Sequence, residues 1–472
     1  MAKNLVYDIH DRPVFSKMLI FAFQQLLAIM AATIAVPAIV GNGLTASAAL
    51  FGAGVGTIVY QLFTKFRSPV FLGSSFAFIG PMLAAFAGGV SMSLGFLGLI
   101  FGAIFAGLVY VVIALVVKYA GVKWINKLMP AAVIGPTVAL IGLSLAGAAV
   151  DYVFSYGPIV TFGINDYFLM NTRAWVSFIC ALVTFATVIL CSVYGKKMPK
   201  LIPFIIGILA GYAVGLIFTV IGYAAGNDAL KIIDFTPFKA LVEDGIGITT
   251  FIALPEFAFL KAIDGFKEFN PSYLVTIAVA YIPVAFVVFA EHIADHKNLS
   301  SIIDKDLLTD PGLDKTLLGD GVGSIVGALF GGCPNTTYGE SVGCVALTKN
   351  ASIVTITTAA IMSILVSFIS PFVAFLDSIP ECVMGGVCIT LYGFIAVSGL
   401  KMIQKVDLEN SANLFTVSAI LIPGIGGMAM AIGKVYLTGI ACALVFGIVV
   451  NILLNLKKPT AVDADSSEEE NK

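Results

Sequence analysis

The sequence predicts an all-α polytopic membrane protein with fourteen transmembrane segments, arranged as two inverted repeats of seven segments. Its composition, the spacing of its apolar runs and the placement of its positive charges predict this fold class. The chain has 472 residues, of which 59% are hydrophobic and 11% are charged, and its mean hydropathy is +1.01. Soluble domains are about 45–50% apolar and about 25% charged, so the composition excludes a soluble globular protein. The net charge of −2 gives no indication of nucleic-acid binding.

Fourteen apolar runs can be read along the chain, and most have the length that crosses a bilayer. A mixed, amphipathic linker over residues 227–271 divides them into two sets of seven. The first set covers 18–40, 46–64, 69–88, 92–117, 130–150, 174–194 and 201–225. The second set covers 272–296, 317–332, 334–347, 352–372, 375–397, 412–432 and 436–456.

Lysine and arginine orient these segments in the membrane. If both termini are cytoplasmic, most of the 26 Lys and Arg residues fall in cytoplasmic connections, among them Lys196, Lys197 and Lys200. Cytoplasmic connections of membrane proteins carry an excess of these residues. The charges therefore predict fourteen spans with both ends inside.

An odd number of spans per repeat places the second copy upside down relative to the first. The pattern P-x-x-V-x-G occurs at residues 130–135 and again at 380–385, in the fifth span of each set. Pro37 and Pro283 similarly lie in the first span of each set. The matching positions support an inverted repeat.

The third span of each set is interrupted by residues that continue a helix poorly. One reads PVFLGSSFAFIGP over residues 69–81, and the other reads GGCPNTTYGESVG over 331–343. A break frees backbone N–H and C=O groups at membrane depth, where they are tolerated only if they line a cavity or find partners. Interrupted spans at matching positions of two repeats indicate a transporter's binding site. The alternative is a glycine-rich packing kink between helices.

Several ionisable residues fall inside the predicted spans, where charge is costly and indicates function. They are Glu291, His292, Asp295, His296, Asp320 and Glu340. Glu291 and Asp295 are four residues apart and share a helix face. Packing explains the two histidines equally well, and an interfacial helix cap is the alternative for Asp320. Carboxylates that share one dry cavity repel each other, so such a group can bind a proton and a solute together.

Carboxylates and free backbone amides together recognise a flat solute with both donors and acceptors. A carboxylate accepts hydrogen bonds from ring N–H groups, and a backbone N–H donates to carbonyl oxygens. Phe76, Tyr338 and Tyr392 lie in or near the interrupted or apolar spans and could cover the faces of such a ring. The seven cysteines form no CxxC pair, and we find no nucleophile–base pair, so no metal, cofactor or enzymatic activity is expected.

The sequence resembles the nucleobase–ascorbate transporter family, most closely its bacterial uracil permease branch. The resemblance covers nearly the whole chain, from about residue 11 to residue 457. The motifs that carry it are GSSFAF at 73–78, AEHI at 290–293, KDLLTDPG at 305–312, PNTTYGE at 334–340 and MGG at 384–386.

The resemblance implies a core domain and a gate domain, each built from both repeats. The core would comprise residues 18–125 and 272–373, and short β-strands would interrupt its spans 3 and 10. The gate would comprise residues 126–271, including the linker, and 374–456. The resemblance also implies a homodimer. Residues 1–17 would form a cytoplasmic N-terminal segment, and the acidic composition of 457–472 predicts a disordered tail.

The resemblance also implies the roles of individual residues. Glu291 and Glu340 would hydrogen-bond the nucleobase, with main-chain groups at Phe76 and Gly339. The apolar walls would come from Ala32, Phe76, Tyr338 and Tyr392, and proton coupling would involve Glu291, Asp295, His296 and Asp320. Two positions depart from the family pattern: Ser341 stands where asparagine is usual, and Asp295 stands where a well-studied type of uracil–proton symporter has histidine.

These expectations describe a proton-coupled uracil importer of the bacterial cytoplasmic membrane. Its partners would be uracil, membrane lipid and a second copy of the chain, with the proton as the coupling ion and no cofactor. The alternatives are a xanthine or urate permease of the same family and a passive nucleobase facilitator or channel. An anion exchanger is disfavoured, because carboxylates in the site would repel its substrate.

Overall fold

A computed structural model describes residues 5–455, except 122–123, 125–128, 163–164, 244 and 433–434. The predicted acidic tail at 457–472 lies outside the described residues, as do residues 1–4 of the N-terminal segment. Eight of the described helices are long and apolar enough to cross a membrane, and four further apolar helices are shorter. The chain is therefore a mostly helical, multi-pass membrane protein.

The elements follow one another in this order. The helices of seven or more residues are α1 (Phe15–Val40), α2 (Ala46–Phe63), α3 (Ile79–Ala85), α4 (Met92–Ala120), α5 (Ala131–Val153), α6 (Thr172–Tyr194), α7 (Pro203–Ala225), α8 (Pro271–Ile303), α9 (Leu313–Gly331), α10 (Gly339–Thr348), α11 (Ile353–Val366), α12 (Ser370–Asp377), α13 (Glu381–Ile403), α14 (Ser411–Ile425) and α15 (Gly439–Asn455). The strands are β1 (Leu72–Ser74), β2 (Ile159–Phe162), β3 (Asn165–Phe168), β4 (Asn335–Thr337), β5 (Met430–Ile432) and β6 (Val435–Leu437).

Side-chain caps explain where several of the long helices begin. Thr45, Ser91, Asn171 and Asn270 each accept a hydrogen bond from a backbone N–H in the first turn of α2, α4, α6 and α8. Such a cap satisfies one of the backbone donors that the first helical turn leaves free. In α8 the cap is followed by Pro271, which lacks the N–H that would otherwise need a partner.

The prediction of one continuous span over 375–397 is wrong at its start. Helix α12 ends at Asp377, and α13 begins only at Glu381, after Pro380. Proline disfavours helical backbone in the residue before it, so the helix cannot run through this point. Glu381 is the first residue of α13, as expected for a carboxylate at a helix start.

The helices pack in two groups. In the first group α9 packs on α2 and α4, α8 on α4 and α10, and α11 on α1 and α2. In the second group α13 packs on α5 and α6, α7 on α6, and α14 on α5 and α15. Small residues let the backbones approach closely: a Cβ on Gly52 of α2 would lie 2.5 Å from the carbonyl oxygen of Gly327 in α9.

Strands β1 and β4 form a short antiparallel ladder inside the first group. Leu72 pairs with Thr337, Gly73 with Thr336 and Ser74 with Asn335, and all six residues are buried. Beyond the ladder, the Ser75 N–H donates to the Pro334 carbonyl over 2.9 Å. The ladder therefore satisfies backbone groups that two interrupted helices would otherwise leave unpaired at membrane depth.

Candidate substrate-binding site

A cavity of about 410 Å³ lies between the two helix groups. On the side of the first group it is lined by Ala28, Phe76, Glu291, Ala294, Asp295, Thr336, Tyr338, Gly339, Glu340, Gly343, Cys344 and Leu347. On the other side it is lined by Val138, Ser192, Pro203, Phe204, Phe394, Ile395, Ser398 and Met402, together with Lys200 and Leu201 from the connection between α6 and α7.

Three carboxylates face this cavity. Glu291 and Asp295 lie one turn apart on α8, and Glu340 is the second residue of α10, directly after the break that contains β4. Gly339 also lines the cavity as the first residue of α10. The first turn of a helix carries free N–H groups and partial positive charge, so the cavity combines acceptors from side chains with donors from the backbone.

A hydrogen bond fixes the position of Asp295 relative to the interrupted tenth segment. The Thr337 hydroxyl Oγ1 donates to Asp295 Oδ2 over 2.7 Å. Thr337 is the last residue of β4, and its neighbour Tyr338 precedes the helix that carries Glu340. The bond therefore connects α8 to β4 and fixes Glu291 and Asp295 in position relative to Glu340.

Tyr338 forms one wall of the cavity, and the ladder holds its ring in place. Its hydroxyl donates to the Ser74 carbonyl over 2.7 Å, so the ring crosses from β4 to β1. A side chain on Gly73 would overlap this ring. The sequence therefore needs glycine at position 73 because a large aromatic side chain occupies the space above its Cα.

The other predicted wall residues divide between the cavity and the protein behind it. Phe76 lines the cavity, whereas Tyr392 packs behind it, with the two rings edge to face and their centroids 5.7 Å apart. Ala32 is buried in α1, and Ala28, one turn earlier on the same helix, lines the cavity instead. Among the described lining residues, Phe76 and Tyr338 are thus the aromatic ones on the side of the first group.

The structure places Asp320 and His296 behind the carboxylates and outside the cavity lining. Asp320 Oδ2 lies 2.7 Å from Nδ1 of His292, whose Nε2 lies 3.0 Å from the Thr316 hydroxyl. His296 Nε2 lies 2.7 Å from the Tyr60 hydroxyl. Asp320 therefore lies within α9 as a fully buried residue, and the alternative of an interfacial cap is wrong.

Sequence reasoning missed the wall that the second helix group contributes. Phe204 and Phe394 lie there with ring centroids 6.0 Å apart, on helices α7 and α13. Ser192 and Ser398 add hydroxyl groups to the same wall. These residues lie far apart in the sequence and belong to uninterrupted apolar helices, so no local pattern distinguishes them from lipid-facing positions.

Within the described part of the chain, no group of three or more His, Cys, Asp or Glu residues has an arrangement that could hold a metal ion. The cavity instead offers carboxylates, backbone donors and aromatic faces, which suits a small, flat, polar solute.

The sequence profile of the Permease family matches residues 16–433 of this chain. The chain belongs to the nucleobase–ascorbate transporter family. It is 37% identical over 453 residues to the uracil permease of Bacillus caldolyticus, covering 95% of this chain and 94% of that protein. It is 36% identical over 472 residues to the uracil permease of Bacillus subtilis (strain 168), covering 99% of both. As a member of this family, the protein is a transporter rather than an enzyme.

The fold is also similar to that of a solved structure with low sequence identity to this chain. The transmembrane domain of a cyanobacterium bicarbonate transporter, BicA, superposes with a TM-score of 0.60 at 14% identity, covering 95% of this chain and 100% of that domain. At this identity the likeness describes the fold alone. Proteins of different substrate chemistry can share one fold, so the site residues must decide the substrate.

Proposed function

We propose that this transporter imports uracil across the bacterial cytoplasmic membrane by proton symport. The observation that carries the proposal is that Glu291, Glu340 and Gly339 line one cavity, beside Phe76 and Tyr338. The similarity to uracil permeases over nearly the whole chain supports the same substrate.

The chemistry of uracil matches these residues group by group. Its ring N–H groups would donate to the carboxylates of Glu291 and Glu340, and its carbonyl oxygens would accept from main-chain N–H groups at Phe76 and Gly339. The ring faces would contact the apolar wall to which Phe76 and Tyr338 belong, with Tyr392 and Ala32 supporting that wall from behind. A site built to hydrogen-bond a solute strongly rejects analogues that leave its buried polar groups unpaired.

Proton coupling would follow from the crowding of carboxylates. Glu291, Asp295 and Glu340 face one cavity, so a proton bound among them reduces their mutual repulsion and leaves acceptors for the base. We assign the proton to Glu291 and Asp295. Asp320 and His296 would contribute through α8, because their contacts with His292 and Tyr60 hold the helix that carries both groups.

Transport would proceed by alternating access between a core and a gate. We propose that the core comprises residues 18–125 and 272–373 and that the gate comprises residues 126–271 and 374–456. We propose fourteen spans in two inverted repeats, with both termini cytoplasmic and a homodimer as the assembly. The interruption of the third and tenth segments by β1 and β4, at matching positions, supports the repeat.

Uptake of radiolabelled uracil into membrane vesicles tests the site and the coupling. Glu291→Gln and Glu340→Gln should each abolish or cripple uptake, whereas the matched control Glu381→Gln should transport normally, because Glu381 lies at a helix start and is not among the described cavity residues. Normal uptake by both site variants would contradict the assignment. A protonophore should collapse accumulation, and unchanged accumulation would exclude proton symport.

The volume of the cavity also admits a second candidate, a purine permease. A cavity of about 410 Å³ also has room for a two-ring base such as xanthine. Competition with unlabelled bases separates the two candidates. If the protein is a uracil transporter, unlabelled uracil should reduce the uptake of labelled uracil far more effectively than unlabelled xanthine does.

A further inference from the structure

The connection between α6 and α7 reaches across from one helix group to the other. It contains a short helix, Met198–Leu201, whose last residue is buried against Ala28 of α1 and Cys344 of α10. These three side chains form a small apolar cluster separate from the main core. The Gln24 amide Nε2 also donates to the Met198 sulfur over 2.8 Å. The connection is therefore docked on the group that carries the carboxylates.

A second cavity, of about 380 Å³, lies next to the substrate cavity and shares part of its wall. Phe21, Gln24, Lys197, Met198 and Thr348 line only the second cavity. Lys200, Leu201 and Leu347 line both cavities. These three residues therefore form the partition between them, and its apolar part is made by two leucines.

The second cavity lies at one end of the helix groups. Its lining comes from the first half of α1, the C-terminal end of α10 and the α6–α7 connection. The lysines of that connection and Lys349 after α10 mark this end as the cytoplasmic one in the proposed topology. The partition therefore lies between the cavity that holds Glu291 and Glu340 and the cytoplasmic end of the protein.

We propose that Leu201, which packs on Ala28 and Cys344 in the wall shared by the two cavities, is the cytoplasmic gate of the transport path. This inference rests on the proposed function and names a lining residue to which the proposed function assigns no contact with uracil. An apolar seal opposes passage of a polar solute, because the solute would lose its hydrogen bonds there. Opening requires Leu201 to leave Ala28 and Cys344, so the docked connection must move relative to α1 and α10.

The backbone of the connection has an unusual conformation immediately before its short helix. Lys197, immediately before the short helix, has φ +55° and ψ −119°, a left-handed conformation that residues with a side chain rarely adopt. Backbone held in such a conformation is typical of ligand clamps and switch regions.

The native Cys344 allows the contact to be locked. In Leu201→Cys, copper phenanthroline should oxidise the two thiols to a disulfide, taking up two electrons as two protons are released. We expect uracil transport to be lost on oxidation and regained on reduction, while purified oxidised protein still binds uracil. The control Leu201→Cys with Cys344→Ser should transport equally with and without oxidant. A disulfide that leaves transport unchanged, or the absence of any disulfide, would overturn the proposal.

A second measurement does not depend on transport. Cys344 is only 4% exposed beneath Leu201. In vesicles with the cytoplasmic face outward, Leu201→Ala should raise the labelling rate of Cys344 by a membrane-impermeant maleimide several-fold over the native chain. Equal rates would overturn the gate. Since labelling needs no substrate, this result stands even if the native protein proves not to transport uracil, which would contradict the proposed function alone.

Discussion

Thr337 and Asp295 join two segments that the sequence separates by an entire span: the threonine hydroxyl in β4 donates to the carboxylate on α8 over 2.7 Å. The bond crosses the interruption from which Gly339 and Glu340 follow. The bond therefore holds α8, which carries Glu291, next to the start of α10, which carries Gly339 and Glu340. Neither Thr337 nor Asp295 is itself assigned a hydrogen bond to uracil.

Thr337→Val should weaken substrate binding while leaving the fold intact. Valine keeps the shape but removes the donor, and an unpaired buried acceptor costs about 1–3 kcal/mol. We expect the dissociation constant for uracil to rise about tenfold, measured by equilibrium binding to purified protein. Thr337→Ser retains the hydroxyl and should bind normally, and equal affinities of the two variants would contradict this role.

Gly73→Ala should disturb the wall formed by Tyr338. The added Cβ would overlap the tyrosine ring, whose hydroxyl is already held by Ser74. Overpacking of this kind costs about 1–3 kcal/mol, and we expect a lower melting temperature together with weaker uracil binding. Gly147→Ala is the matched control, because the structure leaves open space there. If both variants behave alike, the ring is not confined by Gly73.

The buried pair of His292 and Asp320 should behave as one unit in unfolding experiments. Neither side chain is exposed, and Nδ1 and Oδ2 lie 2.7 Å apart. Removing one partner leaves the other with a buried polar atom short of a hydrogen bond, so His292→Ala or Asp320→Ala should each cost about 1–3 kcal/mol. The double variant should lose clearly less than the sum. Additive losses, measured by denaturant unfolding in detergent, would show that the two residues act independently.

The N-terminal segment offers a prediction for pH. Lys305 Nζ lies 2.6 Å from Asp8 Oδ2. Partial burial alone would raise the pKa of Asp8, but the hydrogen bonds from Lys305 and from the Ile9 N–H, together with the nearby positive charge, outweigh it, and the pKa lies below its usual range. The pair therefore stabilises the fold above a pH of about 4, and this contribution disappears as the pH falls through the lowered pKa.

Asp8→Asn should consequently lower the melting temperature slightly at neutral pH and not at all in strong acid. Both side chains are nearly half exposed, so the contribution is below about 1 kcal/mol. Lys305→Gln should have the same effect, and combining the two changes should add nothing. A difference that persists in acid would contradict the ion pair as its source.

The sequence predicted which carboxylates line the cavity better than it predicted which residues form the cavity's walls. Helical spacing placed Glu291 and Asp295 on one face, and the break before Gly339 marked where Glu340 would join them. The family resemblance implied Ala32 as a wall residue, but Ala28, one turn earlier on α1, lines the cavity. Phe204 and Phe394 were missed because contacts between two helix groups leave no trace in local periodicity.

The accuracy of the predicted segment boundaries depended on single residues that begin or end a helix. Caps such as Thr45 and Asn270 mark helix starts that the apolar runs approximate closely. The prediction gave too little weight to Pro380, which divides an apolar run that is continuous by hydropathy alone. The total of fourteen spans stays a prediction, because eight described helices have the length and composition to cross a membrane unaided.

The pairing of β1 with β4 also bears on how the protein is made. One strand is synthesised more than 250 residues before the other, so the earlier strand enters the bilayer without its partner and must wait for the second half of the chain to emerge from the ribosome. A polypeptide arrested before Asn335 would hold helices in the membrane and no pocket, which makes ligand binding a late milestone of biogenesis rather than a property of either half.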